Sequence, residues 1–291
     1  MGTVLLVNGL LVHDSGKTWF SISLAKHLVN DGFRVGMYKP VAGHNAWTQY
    51  HTVVRSKELK LLLGADVLAY LDLGLVKIEE LPTTNPVDLL MTPLDVITYL
   101  DSKMFHKYFT DSLNQFKQLV LARTTLCGQN SFNHFAIREN IKHSTKPLLN
   151  DLIELSTILK ARDIAIDDII NTLRSQWIEE NLNVCLKRIC EDSDVVIIES
   201  FNDAFTPYPS LLEYVDQVIV VSQGRAILFD DMSRVRRLVR ERLATLGDEG
   251  LKSANIVGDL NPSAIIDIPP SLNIMSVRGI NWKPVINTLR R

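Results

Sequence analysis

The sequence predicts an α/β protein with a mostly parallel sheet, interrupted by a large helical insertion. Three observations predict it. Residues 3–11 form a short, almost wholly apolar run, the pattern of a strand buried on both faces of a parallel sheet. HDSGKT at residues 13–18 follows and leads into an amphipathic stretch at 19–30, closed by Asp31-Gly32, and then a second strand-like run at 33–38. Strand, loop, helix and strand in that order form the unit from which parallel sheets are built. Far along the chain strand character returns, at DVVIIE (194–199) and QVIVVS (217–222).

The elements in between follow in order. Residues 56–191 read as chiefly helical, with helical patterns at 56–73, 95–110, 148–160 and 166–190, and with Pro82, Pro86 and Pro93 breaking the chain between the first two. A long charged helix spans 230–246, and shorter β-like pieces fall at 264–268 and 273–277. The expected organisation is therefore a core made of residues 1–55 and 192–291, with 56–191 inserted as a substrate or lid region.

Composition narrows the function classes. The 291 residues are 46% hydrophobic and 22% charged, enough to bury a core. The formal charge of −2, from 31 basic and 33 acidic residues, lacks the basic footprint of a nucleic-acid binder. Cys127, Cys185 and Cys190 cannot make a disulfide framework and have no C-x-x-C spacing, so reduced, buried thiols and a cytoplasmic location are expected. No apolar run approaches the roughly 20 residues that span a bilayer, and the opening MGTVLLV has no basic region or cleavage site. Neither a signal peptide nor a membrane partner is expected.

Gly16-Lys17-Thr18, set between a buried strand and a helix, carries the chemistry. Successive backbone N–H groups at a helix N-terminus cradle an anion. His13, Asp14, Ser15 and Gly16 would form that cradle, with Lys17 reaching the outer phosphates and the Thr18 hydroxyl on Mg²⁺. The standard spacing G-x-x-x-x-G-K-[ST] asks for glycine at 11, where Leu11 stands; the nearest glycine is Gly9. An acidic residue at the end of a distant strand should complete the metal site, and Glu199 at the end of DVVIIE supplies it. Lys39 ends the second strand, on the edge of a parallel sheet where ligands bind. Taken alone, it also reads as a solvated lysine before a proline.

This succession, a GKT loop, then YKPVAG at 38–43, then an apolar strand ending in glutamate, resembles dethiobiotin synthetase, a P-loop NTPase family in the branch that includes the MinD-like ATPases. KPVA is intact at 39–42, and ANIVGDLNP at 254–262 is similar to the family's base-recognising segment. The resemblance implies a P-loop NTPase fold and a homodimer that binds MgATP and a diamine-derived carbamate. It places Lys17, Thr18, Lys39 and Glu199 in the active site, Lys39 on an acceptor oxyanion, and Asn255 at the base.

Gly43 stands where the family has serine, and Ser200-Phe201-Asn202-Asp203 replaces its glycine-rich stretch. The expected function is thus ATP- and Mg²⁺-dependent ligase or kinase chemistry on a small-molecule acceptor. Two alternatives stay open. One is a nucleotide-dependent switch, although Val12 occupies the position of the MinD-like ATPases' extra lysine. The other is a polynucleotide 5′-hydroxyl kinase, whose D-S-G-K-[ST] loop Asp14–Thr18 matches.

Weaker constellations complete the reading. Arg234, Arg236, Arg237, Arg240 and Arg242 lace one helix with charge. Arg225 lies near the expected ligand edge. His134 and Arg138 are spaced to share a helical face, and Asn85-Pro86-Val87-Asp88 resembles a substrate loop of the synthetase family.

Overall fold

In the computed structural model, which describes residues 2–11, 15–270 and 279–289, the strands in chain order are β1 (Thr3–Gly9), β2 (Val35–Tyr38), β3 (Val41–Asn45), β4 (Val87–Met91), β5 (Leu119–Leu126), β6 (Ser131–Ala136), β7 (Arg162–Asp163), β8 (Val195–Glu199), β9 (Gln217–Ser222), β10 (Arg225–Phe229) and β11 (Ala264–Asp267). The chain divides into two units. One comprises Met1–Pro40, Tyr70–Thr84 and Asn183–Arg291; the other comprises Val41–Ala69 and Asn85–Leu182.

The first unit holds a six-stranded sheet in the order β11-β10-β9-β1-β8-β2. Strands β9, β1, β8 and β2 run parallel, and β10 and β11 extend the sheet antiparallel. The central strands are continuous runs of Val, Ile and Leu because both of their faces are covered. Residues 4–7, 195–198 and 218–221 are all buried. The sheet is mixed, parallel at its centre and antiparallel at one edge, and its order sets β1 between β8 and β9, with Val7 beside both Glu199 and Ile219. Helix α1 (Lys17–Asn30) buries Phe20, Leu24 and Leu28, and Phe20 packs on Trp282 with ring centroids 5.2 Å apart. Its end is closed by the amides of Asp31 and Gly32, which donate to the carbonyls of His27 and Val29.

The second unit corrects the expectation of a helical insertion. It contains a five-stranded sheet, β3-β4-β5-β6-β7, in which β4–β5 and β5–β6 pair antiparallel and β3–β4 and β6–β7 pair parallel. Helices Tyr50–Leu59 and Lys146–Ile158 contribute Val53, Leu148, Leu152 and Leu155 to a core with Leu90 and Leu121 of that sheet. The strands escape notice in the sequence because polar residues interrupt their apolar runs: Asp88, Arg123 and His134 are cross-strand partners on β4, β5 and β6. Pairing on both sides of β5 overrides the mixed local signal. The division also departs from the expected boundaries at 56 and 191, since the second unit starts at Val41 and residues 70–84 belong to the first.

His134 lies on β6 and Arg138 in the short helix Arg138–Lys142, so they share no helical face. The expected strand at 273–277 lies outside the described residues. Cys190 is a free, buried thiol. No helix among the described residues is long and apolar enough to cross a membrane.

Candidate functional site

Four of the residues singled out from the sequence converge in the first unit, at the carboxyl ends of β1, β2 and β8. Because β2 pairs with β8 so that Tyr38 lies beside Ile198, the next residues on each strand, Lys39 and Glu199, come out side by side. Lys39 Nζ donates to Glu199 Oε1 at 2.8 Å and to the Ser200 carbonyl at 3.0 Å. Thr18, in the first turn of α1, donates its hydroxyl to the same Oε1 at 2.7 Å. Lys17 Nζ donates to the Asn202 carbonyl at 3.0 Å. Lys39 is 2% exposed and Glu199 0%, so this is an ion pair held away from water, where it persists only with its remaining hydrogen-bonding capacity satisfied.

Sequence reasoning missed the residue that supplies much of that satisfaction. Tyr70, fully buried, donates its hydroxyl to Glu199 Oε2. It sits on the helix Ala65–Asp72, far in sequence from every strand of this sheet, and no local pattern distinguishes it from a core aromatic. Glu199 thus accepts from a hydroxyl and an ammonium on one oxygen and from a phenol on the other.

Gly9 ends β1 and Gly16 precedes α1. Gly16 caps the helix in the left-handed region, at φ 85° and ψ 8°, a conformation that glycine adopts without steric cost. Gly9 faces Ser15 so closely that a Cβ there would collide with the serine side chain. Ser15 is buried, and its hydroxyl has no hydrogen-bond partner among the described residues. His13 and Asp14 lie outside the described residues. Asn255 shares no hydrogen bond with this group among the described residues; its side-chain amide donates to the Glu249 carbonyl at 2.8 Å.

The chemistry of this set can be tested against a nucleotide and its metal. Mg²⁺ is bound through one or two carboxylates with waters and substrate phosphates completing its shell, not by an all-protein cage. The described residues contain no group of three or more His, Cys, Asp or Glu able to hold a metal alone. They do offer a hydroxyl and a carboxylate in contact, Thr18 and Glu199, beside the cation of Lys17. With the orphaned Ser15 hydroxyl on the loop, the set fits an anionic ligand carrying its own metal oxygens.

No protein-family model, curated protein or solved structure matches this chain. The functional reading therefore stands on its own residues.

The second unit holds a different group of buried polar residues. Arg123, 0% exposed, donates to the Leu62 carbonyl at 3.0 Å, to Thr125 Oγ1 at 2.9 Å and to Asn85 Oδ1 at 2.8 Å. Burial pushes its pKa down to about 10, against the raising influence of Asp88. Asp88 Oδ2 accepts the Gly64 amide at 2.8 Å, and Oδ1 lies 2.9 Å from His44 Nε2. His44 Nδ1 is 2.7 Å from Thr52 Oγ1, whose hydroxyl donates to the Gln49 carbonyl at 2.8 Å.

His134 Nε2 accepts the Leu62 amide at 3.2 Å, which requires the neutral ring. Burial, followed by the charge of Arg123, lowers the pKa of His134 to about 4. Together these groups bond the Leu62 amide and carbonyl and the Gly64 amide. Asn85 and Asp88, expected in a substrate loop, are committed here.

The remaining sequence candidates have structural duties. Arg225 pairs with Asp267 across β10 and β11. Along the helix Met232–Leu246, Arg236 donates to the Leu212 carbonyl at 2.8 Å, Arg234 to the Asp259 carbonyl at 2.7 Å and Arg242 to the Asn255 carbonyl at 3.0 Å.

Proposed function

We propose that this chain has a P-loop NTPase fold and binds MgATP at the α1 N-terminus, using it for phosphoryl transfer to a carboxylate, carbamate or hydroxyl of a small molecule. The observation that carries this reading is the contact between Thr18 and Glu199. It joins a helix-start hydroxyl, next to Lys17, to a strand-end carboxylate, the pair of hard oxygens that a phosphate-bound Mg²⁺ uses. Bound MgATP would supply the transferable phosphoryl group and a divalent charge on its oxygens.

The chain's own residues do the rest. The loop amides around Ser15 and Gly16 bind phosphate oxygens, and Lys17 neutralises them. Thr18 would offer a hydroxyl lone pair to the metal while its proton stays on Glu199. Lys39 pairs with the Glu199 carboxylate and, at the strand ends, supplies the cation nearest an acceptor oxyanion. Tyr70 fixes the direction of the carboxylate. The resemblance to dethiobiotin synthetase extends the reading to a homodimer, checked by sedimentation with and without MgATP.

The test is ADP release from MgATP, alone and with diaminononanoate plus bicarbonate, amino and hydroxy acids, and 5′-hydroxyl oligonucleotides. Stimulation by a small acceptor, lost in Lys17→Ala, is the expected result. Binding with slow, acceptor-independent release would indicate a nucleotide switch. Undiminished turnover in Lys17→Ala would remove the loop from the mechanism.

A further inference from the structure

Lys17 Nζ is engaged by the main-chain carbonyl of Asn202, 3.0 Å away. Asn202 has a φ of 45°, a left-handed conformation that asparagine tolerates better than most side chains. It belongs to a tight turn just beyond β8. Within that turn the Ser200 hydroxyl donates to the Ala204 carbonyl at 2.7 Å, and the Ala204 amide to the Phe201 carbonyl at 3.1 Å. The far side of the turn pairs with a distant segment. The Phe205 amide donates to the Leu251 carbonyl at 2.7 Å, and the Ser253 amide to the Asp203 carbonyl at 2.8 Å, with Ala204 and Lys252 facing each other in an antiparallel bridge. Ser253 opens the short helical turn that ends at Asn255.

One short turn therefore ties the phosphate-loop lysine to the segment around Asn255. We infer that the turn at residues 200–205 reports occupancy of the phosphate loop, at Lys17, to residues 251–255. This regulation rests on the nucleotide reading above. A phosphate oxygen is a charged acceptor and forms hydrogen bonds about twice as strong as those to a neutral carbonyl. Phosphate at the loop draws Lys17 from Asn202, and the turn loses the contact that holds its left-handed residue in place. The paired amides of Phe205 and Ser253 then open more often. The ligand has the differential interaction that a population shift requires, because the Lys17–Asn202 contact exists in only one of the two states.

Hydrogen exchange on the full chain tests this, with MgATP and adenosine as probes, calorimetry to establish binding, and the amides of β8 as internal reference. MgATP is expected to speed exchange at the Phe205 and Ser253 amides about 10-fold, the scale set by losing one charge-assisted hydrogen bond. Adenosine, which has no phosphate, should leave both rates unchanged. Lys17→Met should show the faster rates without nucleotide while its β8 amides exchange as in the wild type. Binding of MgATP with those two amides unchanged or slowed would overturn the coupling and leave the nucleotide reading intact, as would wild-type rates in Lys17→Met. Absence of MgATP binding would overturn both.

Discussion

Both units bury charge against a β-sheet, and they differ in where along the strands they put it. In the first unit Lys39 and Glu199 stand at or just beyond the last residue of parallel strands, next to a helix start and a loop. In the second, Asp88, Arg123 and His134 are paired partners inside β4, β5 and β6. Strand ends leave room for a ligand to approach, as the carboxyl edges of parallel sheets do generally. Strand interiors are closed, so charge there must be satisfied from within. The second group does this by bonding the backbone of residues 62–64. One arrangement suits chemistry and the other suits stability.

The largest expected effect tests the stability side. Arg123→Leu leaves the Leu62 carbonyl and Asn85 Oδ1 without their donor and removes a buried positive charge from beside Asp88; it should lower stability in urea unfolding by about 3–5 kcal/mol. A loss below about 1 kcal/mol would mean that the network is dispensable and would break the contrast.

The chemical side is tested by Thr18→Val, which keeps shape but removes the hydroxyl. Turnover should fall about 100-fold, while urea unfolding should lose about 1.5 kcal/mol, the cost of one donor removed from a buried carboxylate. A variant equally damaged in both measurements would show that Thr18 is structural.

A change of pH probes the second group through His134. The pKa of His134 is about 4 in the folded protein against an ordinary 6.5, so the unfolded chain takes up the proton first. The stability this contributes is complete above pH 6.5 and is lost as the pH falls toward 4. Between pH 7 and pH 5 the loss from this residue should be about 2 kcal/mol. His134→Gln, whose amide oxygen accepts from Leu62 without titrating, should remove that part of the slope; an unchanged slope would assign it to other groups.

The smallest effect sharpens the picture of the first site. Tyr70→Phe removes one donor from a buried carboxylate and should cost about 1.5 kcal/mol. If Tyr70 directs the carboxylate as well as satisfying it, the same variant should weaken the dependence of turnover on Mg²⁺ concentration.

What the sequence determined by itself was local and periodic. The runs at β1, β8 and β9 are apolar on both faces, so burial follows from composition alone, and a helix that begins at Lys17 follows from the GKT turn and the amphipathic stretch behind it. Lys17, Thr18, Lys39 and Glu199 were legible because each sits at a boundary between elements that the sequence marks. Tertiary structure alone decided the rest. Strand order, which places β8 between β1 and β2, is what brings Glu199 to Thr18 and Lys39 at once. Tyr70 reaches Glu199 from a helix whose own pattern says only that it is buried. The five-stranded sheet was hidden for the same physical reason. A strand carrying arginine or aspartate in its interior looks unlike a strand until cross-strand partners and a neighbouring backbone satisfy those groups, and such partners are distant in the sequence.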